Sequence, residues 1–255
     1  MTLSLLRFPL AACAALVAVA SAVAAEPAII AKARAFIGSE AALEGLKSVH
    51  FVGTLVTVDP ADPKKEVRAA MEIIFQKPDQ QQIKSTSDKV IEVTALDGYD
   101  GWQRIQDVKD PAKWQQTLLG TDQIKRLRAN TWENLSFYRG IERKNGRMED
   151  QGNATIDGVA CRKIAFIHAA KIIFYRFFDA ATGRLVYTET ESGGSIRESG
   201  EVRINGLRFP KSIITEMKDS AGAARAVTIT FDQITVNETF PNSLFSVPAI
   251  PRQER

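Results

Sequence analysis

Cysteine and histidine are scarce in this chain, with two of each in 255 residues. Cys13 lies in the N-terminal segment, so Cys161 has no partner for an internal disulfide and no metal-ligand spacing. It reads as a small buried apolar residue on a strand. His50 and His168 each fall in a strand pattern without a companion at ligand distance. The sequence contains no G-x-S-x-G, H-E-x-x-H, P-loop or dinucleotide fingerprint. An excess of one charge is missing too: 33 Lys+Arg against 30 Asp+Glu leave +3, which argues against nucleic acid as a partner. Internal repeats, low-complexity tracts and linkers are also lacking, which favours one domain. These absences leave little room for a metalloenzyme or a nucleotide-dependent enzyme, and they imply no cofactor.

The one long apolar run is at the start. After Arg7 comes "LAACAALVAVASAVAA", which closes on Val23-Ala24-Ala25. This is the pattern of a signal peptide over 1–25, with the mature chain starting near Glu26. The apolar run follows Cys13 instead of preceding it, which argues against a lipid anchor there. Export follows, with the periplasm as the expected compartment, and no later stretch is apolar enough to span a membrane.

Residues 27–47, "PAIIAKARAFIGSEAALEGLK", predict two short helices. Ile30, Ala33 and Ile37 recur at helical spacing, and Ser39 after Gly38 is placed to cap the second piece. Strands then dominate. "VRAAMEIIF" sets Val67, Ala69, Met71, Ile73 and Phe75 on one face, and "LRFPKSIITEM" reads as one strand with Leu207, Phe209, Ile213 and Met217 in phase. In "VTITFDQITV" the apolar phase slips after Asp232-Gln233, which predicts a bulge. From Pro111 to Tyr138 the period turns helical. Asp110 and Pro111 are placed to start one helix that Gly120 ends, and Thr121 or Asp122 starts the next. Two helices thus interrupt a sheet of about ten strands. "IIFYRFF" at 172–178 is apolar on both faces, so that strand is expected to be covered on both sides.

Four stretches carry a resemblance: "FIGSEAALEGLKSVHFVGTL", "ALDGYDGW", "DGVACRKIAFI" with "FYRFFDAATGRLVYTET", and "GLRFPKSIITEM" with "VTITFDQITVNETFPNSLFSVP". In order and type of element they resemble the periplasmic outer-membrane lipoprotein-sorting superfamily, the LolA carriers with LolB and the RseB sensor domain. The ending "NETFPNSLFSVP" is the most specific piece. The resemblance implies a mainly β (α+β) fold, a strongly curved antiparallel half-barrel sheet closed by a helical lid. It places a single such domain over 26–255, with the helical insertion near 111–138. No functional residue of the carriers is carried over.

The function this implies is that of a carrier or sensor without chemistry. Its partner would be lipoprotein acyl chains or another hydrophobic ligand, with an envelope protein as a further partner. An apolar ligand needs area and shape instead of a signature motif. The candidate wall is therefore the apolar face of the predicted lid, Trp114, Leu118, Ile124, Leu127 and Trp132. Met71, Ile73, Phe75, Ile91 and Val93 are placed opposite it. "DGYDGW" reads as a tight hairpin, with Gly98 and Gly101 supplying positive φ, Tyr99 at the exposed tip and Trp102 packing inward beneath the lid. Lys125, Arg126 and Arg128 form a basic patch for anionic headgroups or a partner. Two rival readings stand beside this one. The first is an envelope interaction module with a solid core. The second is a hydrolase built on an acid pair such as Glu189 and Glu191.

Overall fold

The computed structural model describes residues 26–59, 62–218 and 224–249. The expected signal peptide over 1–25, Cys13 included, lies outside the described residues. Two helices open the described chain, α1 (Ala28–Ile37) and α2 (Glu40–Gly45). Ser39 caps α2 by accepting a hydrogen bond from the Ala42 amide. Six strands follow: β1 (Ser48–Asp59), β2 (Asp62–Gln76), β3 (Gln80–Thr86), β4 (Val90–Asp97), β5 (Asp100–Asp107) and β6 (Trp114–Leu118). Then come α3 (Thr121–Leu135), β7 (Arg147–Ile156), β8 (Val159–Ala169), β9 (Ile172–Asp179), β10 (Leu185–Thr190) and β11 (Ser195–Ser199). The chain closes with β12 (Val202–Ile204), β13 (Leu207–Phe209), β14 (Ser212–Lys218) and β15 (Ala224–Val236).

Thirteen strands form one open antiparallel sheet in the order β6-β5-β4-β3-β2-β1-β15-β14-β11-β10-β9-β8-β7, and β12–β13 make a separate hairpin. Nearly every neighbour in that order is a hairpin partner, as the turn-punctuated sequence implies. The main exception joins the chain's first and last strands, β1 and β15, at the middle of the sheet. There Val52 pairs with Gln233 and Gly53 with Phe231, so Asp232 is the extra residue of the expected bulge. The backbones crowd at this point. A Cβ on Gly53 would sit 2.0 Å from the Thr230 carbonyl oxygen.

Two predicted elements differ. Residues 111–118 are not a helix. Asp110 caps a single turn at Ala112, after which Trp114–Leu118 pairs with β5 from Gln106 to Trp102. Five residues are too few to nucleate a helix in isolation, whereas the free edge of β5 offers a complete ladder. The helical insertion is therefore α3 alone, and the amide of its N-cap residue, Gly120, donates to the Gln123 side chain. "LRFPKSIITEM" is likewise two strands. Pro210, which has no N–H for a ladder, separates β13 in the small hairpin from β14 in the main sheet.

The helices lie on one face of the sheet. One core gathers Leu43, Leu46, Val49, Phe51, Phe75, Leu135, Phe137, Phe209, Phe231 and Ile234. A second gathers Ile29, Ile30, Ala33, Trp132, Tyr138, Ile141, Ile164, Phe166 and Phe178. The opposite face of β2 to β6 is crossed by the C-terminal segment. Gln76 exchanges bonds with the Phe240 backbone, Gln82 donates to the Leu244 carbonyl at 2.5 Å, and Trp102 Nε1 donates to the Phe245 carbonyl at 2.8 Å. Gln116 Nε2 reaches the Pro248 carbonyl at 3.2 Å. Phe245 of this segment is itself fully buried. The run Gln80-Gln81-Gln82 shows the arrangement in miniature. All three are buried. Gln80 and Gln82 bond Asn242 and Leu244 on the tail side, and Gln81 Oε1 accepts from Thr131 and Asn130 of α3 on the helix side.

Candidate functional site

The period of 2 assigns every strand residue to a face. Phe75 pairs with Gln81, Gln81 with Leu96, and Leu96 with Gly101, so all four share the helix-covered face. Met71, Ile73 and Phe75 of the predicted wall are on that face, and Ile124 of α3 lies over Gly101. Trp132 is buried between α1 and Phe166, and Leu127 is half-buried on α3. The remaining predicted residues are elsewhere. Val93 pairs with Lys84 and Ile91 with Thr86, and Lys84 reaches Glu72 at 3.7 Å. Ile91, Val93, Trp102, Trp114 and Leu118 therefore sit on the opposite, tail-covered face.

Trp102 packs beneath the C-terminal segment instead of beneath a lid, and Leu118 on the edge strand is 66 % exposed. The predicted wall thus falls on two sides of one sheet, because strands of even and odd phase were combined without knowing the register. In the hairpin, Gly98 has φ +61° as expected and Tyr99 is exposed. Gly101 has no positive φ. It is needed for space, since a Cβ there would meet Ile124 and Leu119 at 3.1 Å.

A partly open cavity of about 220 Å³ lies under α1, on the half of the sheet away from β2–β6. None of the eleven predicted residues lines it. Its apolar wall is Phe36 and Ile37 of α1, Phe51 of β1, Phe137, Phe209 and Ile213. Its polar end is formed by Glu133 and Asn134 of α3, Arg176 of β9, Glu198 of β11, and Arg208 with Glu201. Gly183 closes one side. With φ +80°, its position would put a Cβ 2.5 Å from the Lys32 carbonyl carbon, so only glycine lets the β9–β10 turn touch the backbone of α1.

A buried arginine and a half-buried one organise the surroundings. Arg34 of α1 is 3 % exposed. It grips Glu40 with two bonds at 2.9 and 2.5 Å and donates to the Phe137 carbonyl at 2.8 Å. That hydrogen bond holds the Glu40 carboxyl below its ordinary range, and burial opposes it only in part. Arg176 stands on the helix-covered face between Phe174 and Phe178 of the "IIFYRFF" strand. Its Nη2 lies 2.6 Å from Glu133 Oε2, and Glu133 Oε1 meets His168 Nε2 at 2.7 Å. Glu133 is 3 % and the Arg176 side chain 12 % exposed.

The pairing of Arg176 with Glu133 is ionic and off the hydrogen-bond direction, so Glu133 Oε2 and Arg176 Nε both lack a hydrogen-bond partner. The guanidinium also stacks 5.0 Å from the Tyr138 ring. His168 reaches Glu133 because it is the extra residue of a bulge between the Ile167–Ile173 and Ala169–Ile172 pairs, a device that re-aims a side chain. Burial pushes the Tyr138 hydroxyl well above its usual range. Glu198 is exposed at the mouth of the cavity. The protein packed around it raises its pKa, and the charge of Arg176 pulls it back.

No arrangement for catalysis is assembled from the predicted acids. Glu189 is paired with Lys163 at 4.0 Å and Glu191 with Arg126 at 2.5 Å. The charge Glu198 feels is that of Arg176 and not that of Glu133. Among the described residues no group of His, Cys, Asp and Glu could hold a metal ion. The basic patch is partly paired. Arg128 bonds the Gly98 carbonyl and stacks 3.8 Å over Tyr99, and Lys125 lies 3.7 Å from Asp122. Arg128 and Lys125 line a second pocket of about 380 Å³, to which Trp132 also contributes. Sequence reasoning passed over Arg34, Arg176 and Glu198. The available signal was an arginine in phase with Phe174 and Phe178 on an otherwise apolar strand face.

An open antiparallel sheet with helices on one face and a C-terminal segment across the other defines the class of fold. Its similarity to solved structures follows from that order of elements. A LolA superfamily protein from Nitrosomonas europaea superposes with a TM-score of 0.54 at 14% identity, over 84% of this chain and 97% of that one. A domain described as an outer membrane lipoprotein-sorting protein from Vibrio parahaemolyticus does so at 0.54 and 8% identity, over 84% and 94%. A DUF1329 family protein from Desulfovibrio piger does so at 0.54 and 8%, over 86% and 96%. The sequence resemblance to the lipoprotein-sorting superfamily and this similarity of fold therefore agree. No family model and no curated protein sequence matches the chain.

Proposed function

We propose that this chain is an exported periplasmic carrier or sensor that holds an acyl chain, or the acyl end of a lipoprotein, without chemistry. The observation that carries the reading is the cavity between α1, α3 and the sheet, with its wall of Phe36, Ile37, Phe51, Phe137, Phe209 and Ile213. A half-barrel with a helical lid is part of the reading. Thr131 of α3 bonds Gln81 of β3, while the next residue, Trp132, has its ring 6.1 Å from Phe166 of β8. Eight steps of the strand order separate β3 from β8, which in a flat sheet is about 38 Å. A sheet curled around α3 accommodates both contacts. The lid is held by polar groups, Gln81 on one side and the Glu133 cluster on the other, and such contacts can exchange for water when the lid lifts.

The cavity opens toward solvent, and its phenylalanine wall is apolar surface whose covering by an acyl chain is worth about 25 cal/mol per Å². The volume is below the usual ~300–1,000 Å³ of small-molecule sites, so cargo as large as a lipoprotein's acyl group requires α1 or α3 to move. Delipidated protein titrated with a fluorescent acyl probe is expected to bind saturably, and native mass spectrometry of the purified protein to show co-purifying lipid. Failure of both would overturn the carrier reading. It would favour the second one, an envelope interaction module, which the small volume and the two solid core clusters support.

A further inference from the structure

The polar end of the cavity goes beyond what an acyl chain needs. We propose that Arg176 forms a head-group subsite that selects single-chain amphiphiles with an anionic head, a carboxylate or a phosphate monoester. This inference rests on the carrier reading and narrows its ligand class.

Three observations converge. First, Arg176 lines the cavity with its side chain 12 % exposed, and its buried Nε has no acceptor among the described residues. Its ion-pair partner, Glu133, is already shared with His168. A buried guanidinium N–H without an acceptor is costly, and a planar guanidinium favours carboxylate or phosphate oxygens over other acceptors. Second, Glu198 lines the same end without a hydrogen-bond or ion-pair partner among the described residues. Its carboxyl is exposed at that end, and in its protonated form it donates to an anionic head. Third, the lining charges otherwise cancel. Arg176, Arg184 and Arg208 face Glu133, Glu198 and Glu201, with Arg208 bonded to Glu201. Protonating Glu198 leaves one net positive charge, matched by a monoanion. The apolar wall then takes the stem of the ligand.

Calorimetric titration of the delipidated full chain with dodecanoate, dodecyl phosphate and methyl dodecanoate, each below its micelle concentration, tests the subsite. One or both anions are expected to bind at least about 10-fold more tightly than the ester, and the tighter of the two identifies the head. Arg176→Gln is expected to bring the anions to the affinity of the ester while the ester is unchanged. Arg176 also balances Glu133, so the variant's fold is checked by circular dichroism. If it is unfolded, the ratio in the wild type decides alone. Equal affinity of anion and ester in the wild type overturns the subsite and leaves the acyl carrier standing. Absence of binding by all three overturns both.

Discussion

Glu133 is the residue on which the hold of α3 over the sheet turns. It is 3 % exposed and faces His168 at 2.7 Å and Arg176 at 2.6 Å. Glu133→Gln keeps the shape and removes the charge. Arg176 then loses its ion-pair partner in a largely enclosed site. Removing one partner of a buried pair costs about 3–5 kcal/mol, because the remaining charge is uncompensated. For a chain of this size about 1 kcal/mol shifts Tm by ~2–4 °C, so the melting point is expected to fall by about 6–20 °C. Circular dichroism melts measure it. The double variant Glu133→Leu with Arg176→Met removes both charges, and is expected to recover most of the loss, since apolar replacement of a buried pair is often neutral or better. Hydrogen exchange in the single variant should rise across 121–135 and little elsewhere, and uptake of an acyl probe should quicken. A loss under about 1 kcal/mol, the size of a surface pair, would refute the reasoning, as would a double variant as unstable as the single one.

Three further outcomes follow from named contacts. Arg34→Met should cost about 1–3 kcal/mol in chemical denaturation, because the buried Phe137 carbonyl loses its charged donor, with Glu40 left free to hydrate. Glu198 binds its proton more tightly in the folded chain than in the unfolded one. Wild-type stability therefore falls as pH rises from the ordinary carboxylate range through the raised value. Glu198→Gln should be more stable than wild type above that window, with the difference vanishing below it, as read by denaturant midpoints across pH. Trp102→Phe leaves the Phe245 carbonyl without its donor, so limited proteolysis should cut after residue 237 sooner than in wild type, while the α3 region stays protected.

Local features were legible where the cause is local. Gly38-Ser39 breaks the first helical stretch because serine caps the next one. Gly98 turns the β4–β5 hairpin because the turn needs positive φ. The bulge at Asp232 was visible as a slip in apolar phase. The strand 172–178 was read as covered on both sides, yet Ile173 and Tyr175 on the face away from the helices stay half-buried, and the arginine within it passed unnoticed because apolar counting ignores a single charge. Residues 111–118 were misassigned because tryptophan, glutamine and leucine at short range fit either period, and the unpaired edge of β5 decided between them.

By itself the sequence determined the strand-rich character, the hairpin turns, the paired N-terminal helices and the absence of familiar catalytic or metal-binding motifs. These depend on side-chain period, turn chemistry and composition, which need no partner strand. Only the tertiary structure decided which face of each strand meets the helices, because register fixes that and a shift of one residue inverts it. It also decided that Trp102 lies beneath the C-terminal segment, and that Arg176, Glu133 and Glu198 meet at one end of a cavity. Those residues are brought together from β9, α3 and β11 by long-range pairing, which leaves no spacing in the chain to read.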